Sequence, residues 1–468
     1  MATLLALNAC TMAPDYVQPP LPVPERYSPN ETEGQTIAAL DWRVFFHHEH
    51  LRDLISNALA NNRDIRLAAA RVAEARSAWR IEGSALYPQL DAVGTGTRGR
   101  ILATGTSMYV DAKQVTAQLS ASWEIDFWGR LRNMREAARD RYLASEEARR
   151  AVATEVVSQV ALGYLLELEY AERSALARRS ITTREESLRI MRRRFEVGSG
   201  SKLDMAQAQV LLAQAQTTLQ SLERDRAINR NALALLVGKQ VELAREPHGL
   251  TEELPDFSLP PGLPSDLLVH RPDIMAAEYQ LRAANADIGA ARAAFFPNIS
   301  LTGAYGTSST ELDGLFRDGS RIWSFTPTVA LPIFNAGRLK GNLDVAKARQ
   351  EQAVATYEKT IQSAFRDVSD ALVQHTQLKK QIATTRSLLE AQRERARLAR
   401  LRFDNGRSAY LEVLDAQRDL FDAEQTLVQL QRAELSSLVA LYSALGGGFP
   451  ASRPFETTAT PSNGGSDK

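Results

Sequence analysis

The sequence predicts a mainly α-helical protein with a membrane β-barrel part, organised as two internal repeats. Three observations predict it. A helical-hairpin signature occurs twice, a long proline-free helical run precedes each copy, and stretches of alternating apolar and polar residues interrupt the helical pattern in each half. The first signature is Arg194-Phe195-Glu196-Val197-Gly198-Ser199-Gly200-Ser201, and the second is Arg402-Phe403-Asp404-Asn405-Gly406-Arg407-Ser408-Ala409. Gly198 and Gly406 lie 208 positions apart, and Phe195/Phe403, Leu203/Leu411, Ala208/Ala416 and Gln209/Gln417 keep that spacing. Glycine accepts the positive φ at which a helix ends, and a Ser or Asp just beyond it caps the next helix. Each signature is therefore a tight turn between two long helices.

The elements follow in chain order. Cys10, the single cysteine, cannot form an internal disulfide. It follows Leu7-Asn8-Ala9, which resembles a bacterial lipobox; on that reading Cys10 is acylated and residues 1–9 are a residual signal segment, and on the other it is a small buried thiol near a disordered end. Those nine residues carry no Lys or Arg, unlike the charged start of a full signal peptide, so the start reads as truncated or misassigned. Residues 10–62 are a lipid anchor, a Pro-rich extended strap and a short amphipathic helix over 41–60, with Trp42, Phe45, Phe46, Leu51, Leu54, Ile55 and Leu59. His47, His48 and His50 cluster there, but they do not share one helix face and no Cys or spaced carboxylates support them as a metal site.

The first repeat covers 63–240. Ile65, Ala69, Val72, Ala75 and Trp79 recur at helical spacing, two strands occupy 86–126, and a long helical hairpin fills 129–237. From Val115 to Asp126 apolar and polar residues alternate without a break, the period of a strand with one face of each kind. An inter-repeat linker, rich in proline, spans 241–270. The second repeat, 271–446, repeats the order: Pro272 suits the first turn of a helix, strands occupy 297–334, and the second hairpin fills 337–445. Each proline-free run, 129–197 and 337–405, is long enough for a helix of about 100 Å. The tail 447–468 reads as disordered.

Composition excludes several function classes. Lys+Arg 56 balance Asp+Glu 56 over 468 residues, which argues against a nucleic-acid binder. No run of 18 apolar residues marks a membrane-spanning helix, but strands span by alternation instead. There is no Gly-rich phosphate loop, no Cys/His cluster and no framed nucleophile, so no catalytic site, metal or cofactor is expected beyond lipid on Cys10.

Four alternating strands of roughly ten residues are long enough to cross a bilayer. They cannot close a barrel alone, and an open edge in lipid leaves backbone groups unpaired at several kcal/mol each. Two chains supply eight strands, whose interior side chains fill; three supply twelve. Strand counting therefore favours at least a trimer, if the function is conduction. A soluble β-sandwich is the competing account, and strand pairs set between such long helices fit it badly.

Several stretches resemble a known family. They are Ser122-Trp123-Glu124-Ile125-Asp126-Phe127-Trp128-Gly129-Arg130, Gly262-Leu263-Pro264-Ser265-Asp266-Leu267-Leu268, Arg271-Pro272-Asp273-Ile274, Ala290 to Pro297, Leu331-Pro332-Ile333-Phe334-Asn335-Ala336-Gly337-Arg338, Leu414-Asp415-Ala416-Gln417-Arg418 and Ala444-Leu445-Gly446-Gly447-Gly448. The chain resembles the TolC-like outer-membrane factors, in their OprM/NodT lipoprotein branch. The resemblance implies a homotrimer with a shared 12-stranded outer-membrane β-barrel continuous with a long periplasmic α-helical barrel. It implies the exit duct of a tripartite efflux system, lipid-anchored and docked to a periplasmic adaptor (membrane fusion protein) and a proton-driven inner-membrane pump of the RND type.

It also implies two sites. The adaptor-docking tips are Val197, Gly198, Ser199, Gly200 and Ser201 with Asn405, Gly406, Arg407 and Ser408, which serve equally as plain helix caps. The periplasmic gate is Leu411, Asp415 and Arg418, where threefold repetition would set a leucine ring beside an acidic ring. Leu411 and Asp415 are four apart, hence on one helix face. The bland alternative is a solvated helix with an i,i+3 ion pair worth a few tenths of a kcal/mol. The first repeat has Gln207 where Asp415 aligns, so the gate is expected on the second hairpin. Export of small molecules such as drugs is the first functional expectation; polypeptide secretion with an ATP-driven transporter is the second, and a soluble coiled-coil scaffold the third.

Overall fold

The computed structural model describes residues 11–24, 27, 41–102, 108–241, 250 and 267–448. Cys10 and the 1–9 segment lie outside the described residues, as do most of the 241–270 linker and residues 449–468. The described elements are α1 (Trp42–Phe45), α2 (Glu49–Asn61), α3 (Arg63–Ser84), β1 (Gln89–Leu102), β2 (Tyr109–Ile125), α4 (Arg130–Glu196), α5 (Lys202–Val237), α6 (Leu267–His270), α7 (Pro272–Ala293), β3 (Asn298–Ser309), a 3-10 turn (Leu312–Gly314), β4 (Arg321–Ala330), α8 (Arg338–Asp404) and α9 (Tyr410–Ala444). Helices α4 and α8 have 67 residues each. A window of α4 has a mean hydropathy of 1.3, high enough to cross a membrane by composition, but 61% of it is buried inside the protein and serves as packing core.

Two expectations need adjustment. The single helix expected over 41–60 is broken at Phe46, whose φ of −90° and ψ of 110° are extended. Both Phe45 and Phe46 are buried on Tyr442, one stacked at 4.2 Å and the other edge-on at 5.9 Å. Adjacent residues of one helix point about 100° apart, so an unbroken helix would not direct both rings onto one partner. Strand β2 starts at Tyr109, earlier than the alternation from Val115 suggests, because it pairs with the whole length of β1, from Gln89 opposite Ser122 to Leu102 opposite Tyr109. The glycines of β1 hide that partner from an apolar count.

The chain divides into two compact units. The first takes residues 69–147 and 275–360 with the described part of 1–20. It holds the sheet, antiparallel throughout in the order β1-β2-β3-β4, so the two repeats pair along β2 and β3 from Val115 opposite Ser309 to Ile125 opposite Ile299. Strand and helix are joined by the Glu124–Arg130 stretch. Gly129 turns the chain at φ 76°. Asp126 accepts from the amides of Leu131 and Arg132 at 3.1 and 2.8 Å, capping α4, and Arg130 grips Glu124 at 2.7 Å. Trp128 stacks on Phe296 and donates its indole N–H to the Pro297 carbonyl at 2.9 Å. The strap's first residues lie on α7 and α8: Asn285 donates to the Pro14 carbonyl at 2.7 Å and Gln18 to the Tyr357 hydroxyl at 2.9 Å.

The second unit takes 148–274 and the described parts of 21–68 and 361–468. Here each repeat is tied shut at its base by one side chain. Asn62 accepts from the amides of Asp64 and Ile65, capping α3, and donates to the Leu236 carbonyl at 2.8 Å, near the end of α5. Arg271 holds Asp273 at 2.6 Å and donates to the Ala444 carbonyl at 3.1 Å, at the end of α9. Leu236 and Ala444 are equivalent positions of the two repeats. Beyond α9, Gly447 is buried, with its carbonyl accepting from Tyr442 at 2.7 Å, so the part of the tail that is described is packed. Arg271→Ala leaves the end of α9 without its partner from a side chain only 12% exposed. It is expected to cost about 2–3 kcal/mol, measured as a lower denaturation midpoint with an unchanged slope, and Arg271→Lys is expected to recover only part of the loss.

Candidate functional site

Both helical tips are built by the same backbone hydrogen bonds. In the first, the Ser199 amide donates to the Arg194 carbonyl at 2.8 Å and the Gly198 amide to Phe195 at 3.0 Å, with Gly198 at φ 75°. In the second, the Arg407 amide donates to Arg402 at 2.9 Å and the Gly406 amide to Phe403 at 2.8 Å, with Gly406 at φ 71°. Left-handed glycine lets the last carbonyls of each helix be satisfied in this way. The tips differ in the next helix. Ser201 accepts from the amides of Leu203 and Asp204 at 3.0 and 3.2 Å, whereas its counterpart Ala409 has no side-chain oxygen and α9 starts uncapped.

The two hairpins pack against each other just behind the turns. Met191, Ala208, Ala399, Tyr410, Val413, Leu414 and Ala416 form one buried cluster. The Arg194 guanidinium lies 5.0 Å above the Phe403 ring, which in turn sits 4.8 Å from Tyr410. All nine predicted tip residues are thereby brought to one end of the hairpin pair; Gly200 and Ser408 are half-buried and the other seven exposed.

The residues predicted as a gate lie on α9 close behind the second tip. Leu411 is 44% exposed. Arg418 pairs with Asp415 at 3.4 Å and with Asp419 at 3.0 Å, both on its own helix; Asp419 holds the guanidinium above its ordinary pKa. Asp419 also reaches a neighbouring helix, accepting from Arg395 of α8 at 2.6 Å. In the first repeat Leu203 is exposed, and the carbonyl oxygen of the Gln207 side chain is buried without a hydrogen bond.

Sequence reasoning missed the buried charges farther up the hairpins. Glu167, 1% exposed, accepts from Arg226 and Arg230 of α5 at 2.7 Å each. Glu169 accepts from Arg173 and from Arg432 of α9, both at 2.8 Å. Arg184 reaches the Leu211 carbonyl at 2.6 Å and lies 5.1 Å over the Phe421 ring; burial lowers its pKa. A signal for Glu167 existed, since it is a carboxylate set among Leu165, Leu166 and Leu168. Arg184 gave none in an Arg-rich helix. Among the described residues no group of His, Cys, Asp and Glu is placed to hold a metal.

The profile of the outer membrane efflux protein family matches residues 54–239 and 263–447, one match to each repeat. The chain belongs to that family. It is 41% identical over 450 residues to the cation efflux system protein CusC of Escherichia coli, covering 95% of this chain and 97% of that one. It is 42% identical over 462 residues to the toluene efflux pump outer membrane protein TtgF of Pseudomonas putida, covering 96% of each. Among solved structures, the open state of the MtrE outer membrane channel of Neisseria gonorrhoeae superposes with a TM-score of 0.85 at 38% identity, covering 94% of this chain and 98% of that one. The protein is thus an outer-membrane efflux channel with a periplasmic helical part, from a duct family rather than an enzyme family, and such channels work with adaptors and inner-membrane pumps.

The unequal caps give a matched test of the tips. Ser201→Ala is expected to cost about 1 kcal/mol and to raise amide hydrogen exchange at Leu203 and Asp204. Ala409→Ser is expected to do the reverse at the start of α9, gaining a similar amount.

Proposed function

We propose that three copies of this chain close a 12-stranded barrel in the outer membrane and form the passive exit duct of a tripartite pump. The observation that carries this is the open sheet. Its order β1-β2-β3-β4 leaves β1 and β4 as edges, and strands of 14, 17, 12 and 10 residues are long enough to span hydrocarbon. Lipid offers no hydrogen bonds to such edges. Pairing β4 of one copy with β1 of the next satisfies both, and three copies leave room for a pore where two do not. Acylation of Cys10 would anchor each chain to the same membrane.

Cargo is assigned by class only. The chain is equally similar to relatives named for cation and for toluene efflux. Equal similarity to relatives named for such unlike solutes singles out neither as the cargo. Small solutes, drugs included, are therefore the proposed cargo, delivered by a proton-driven pump of the RND type through an adaptor seated on the two tips. Names of efflux relatives favour this over polypeptide secretion. Leu411, Asp415 and Arg418 are proposed to line the periplasmic constriction, with the acidic ring favouring cations.

Partner identity is tested by photocrosslinking in cells. Gly198 and Gly406 are poor probe sites, because a side chain at their positive φ is strained; exposed Ser199 and Arg407 serve instead. Capture of a periplasmic adaptor encoded beside a proton-driven transporter is the expected result. Capture of the adaptor of an ATP-driven exporter would move the function to secretion. For the gate, Asp415→Asn is expected to lower the cation-to-anion permeability ratio in planar bilayers, and Leu411→Ala to raise conductance. If neither quantity moves, the constriction lies elsewhere.

A further inference from the structure

The duplication supplies an internal comparison where strand meets helix. In the first repeat, Arg130 and Arg132 open α4 and each has a carboxylate: Glu124 at 2.7 Å and Asp126 at 3.2 Å. The second repeat keeps the cations as Arg338 and Lys340 but replaces both carboxylates, with Pro332 standing for Glu124 and Phe334 for Asp126. Asn335 takes over the capping, accepting from the Leu339 amide at 3.2 Å. Arg338 and Lys340 are exposed and have no side-chain hydrogen bond or ion pair among the described residues. Beside them Ile333 and Phe334 are 91% and 90% exposed.

Arg338 also lines a groove of about 420 Å³ with Trp128, Phe296, Leu331 and Leu339. Glu124 and Asp126 border the same groove, but Arg130 and Arg132 already neutralise them. What is left over is a positive charge without a counter-charge, set beside an exposed apolar step at the helix end of the strands. We propose that this is a binding site for an anionic phospholipid of the periplasmic leaflet. Its phosphate pairs with Arg338, Lys340 adds to the positive potential, and its acyl chains cover Ile333 and Phe334. The charge calls for an anion and the adjoining surface calls for hydrocarbon; a phospholipid carries both in one molecule. A guanidinium suits a phosphate because its fork meets two oxygens at once. The inference rests on the reading of the sheet as part of a membrane barrel, which places the strand ends at the lipid headgroups.

Native mass spectrometry of the full chain in detergent, with phosphatidylglycerol added and phosphatidylcholine as the control, reads oligomer and retained lipid together. Wild type is expected as a trimer that retains phosphatidylglycerol over phosphatidylcholine. Arg338→Ala is expected to keep the trimer and lower phosphatidylglycerol affinity about fivefold. Pro332→Glu, which writes the first repeat's carboxylate into the second, is expected to lower it similarly, and Arg338→Lys to retain most of it. Unchanged retention in an intact Arg338→Ala trimer overturns the site. So does dissociation of that variant into monomers, since Arg338 would then be partnered by a second copy. A wild type that is never larger than a monomer overturns the barrel reading itself.

Discussion

A backbone amide or carbonyl in hydrocarbon must find its partner in protein, and much of this molecule answers to that constraint. The sheet satisfies its interior strands through three antiparallel ladders but ends at β1 and β4. A soluble protein could leave such edges to water or blunt them with charge. A sheet in lipid has neither remedy, so in the proposed barrel its completion would come from outside the chain. In the barrel proposed above, self-association would be a requirement of the fold before it is a feature of function.

The same logic of completion is met internally by duplication. Each half ends by returning to its own beginning, through Asn62 on Leu236 and Arg271 on Ala444. The side chains differ, an amide in one half and a guanidinium in the other, yet both satisfy a carbonyl from the last turn of a return helix, which lacks an intrahelical donor. The Arg271 solution is also reinforced by glycine. Gly446 has φ 109°, and a Cβ there would press on the His270 carbonyl. Backbone closeness and side-chain charge thus fix one junction together.

Local chemistry made much of this legible in the sequence. Gly198 and Gly406 mark turns because positive φ is nearly theirs alone, and the strict alternation from Val115 to Asp126 leaves a strand as the natural reading. Tertiary facts were not legible. Nothing near Phe46 announces that both it and Phe45 will be drawn to Tyr442 and break a helix. The early start of β2 depends on a glycine-rich partner that carries little apolar signal. The turns at the tips could be read from their glycines, whereas the gate positions came from the family resemblance, and the partners of neither could be read. Arg418 turns out to face acids on its own helix, and Arg395 makes a cross-helix link to Asp419.

The unequal caps at Ser201 and Ala409 have a consequence for symmetry. Two similar hairpins per chain, set three times around an axis, would make six near-equivalent positions of two alternating kinds. A partner that presents six identical surfaces would meet a firm helix start at every other position and a looser one between. Binding would then be in two classes even if the partner were perfectly regular. The absence of one hydroxyl per chain would thus contribute to the register of a ring on a ring.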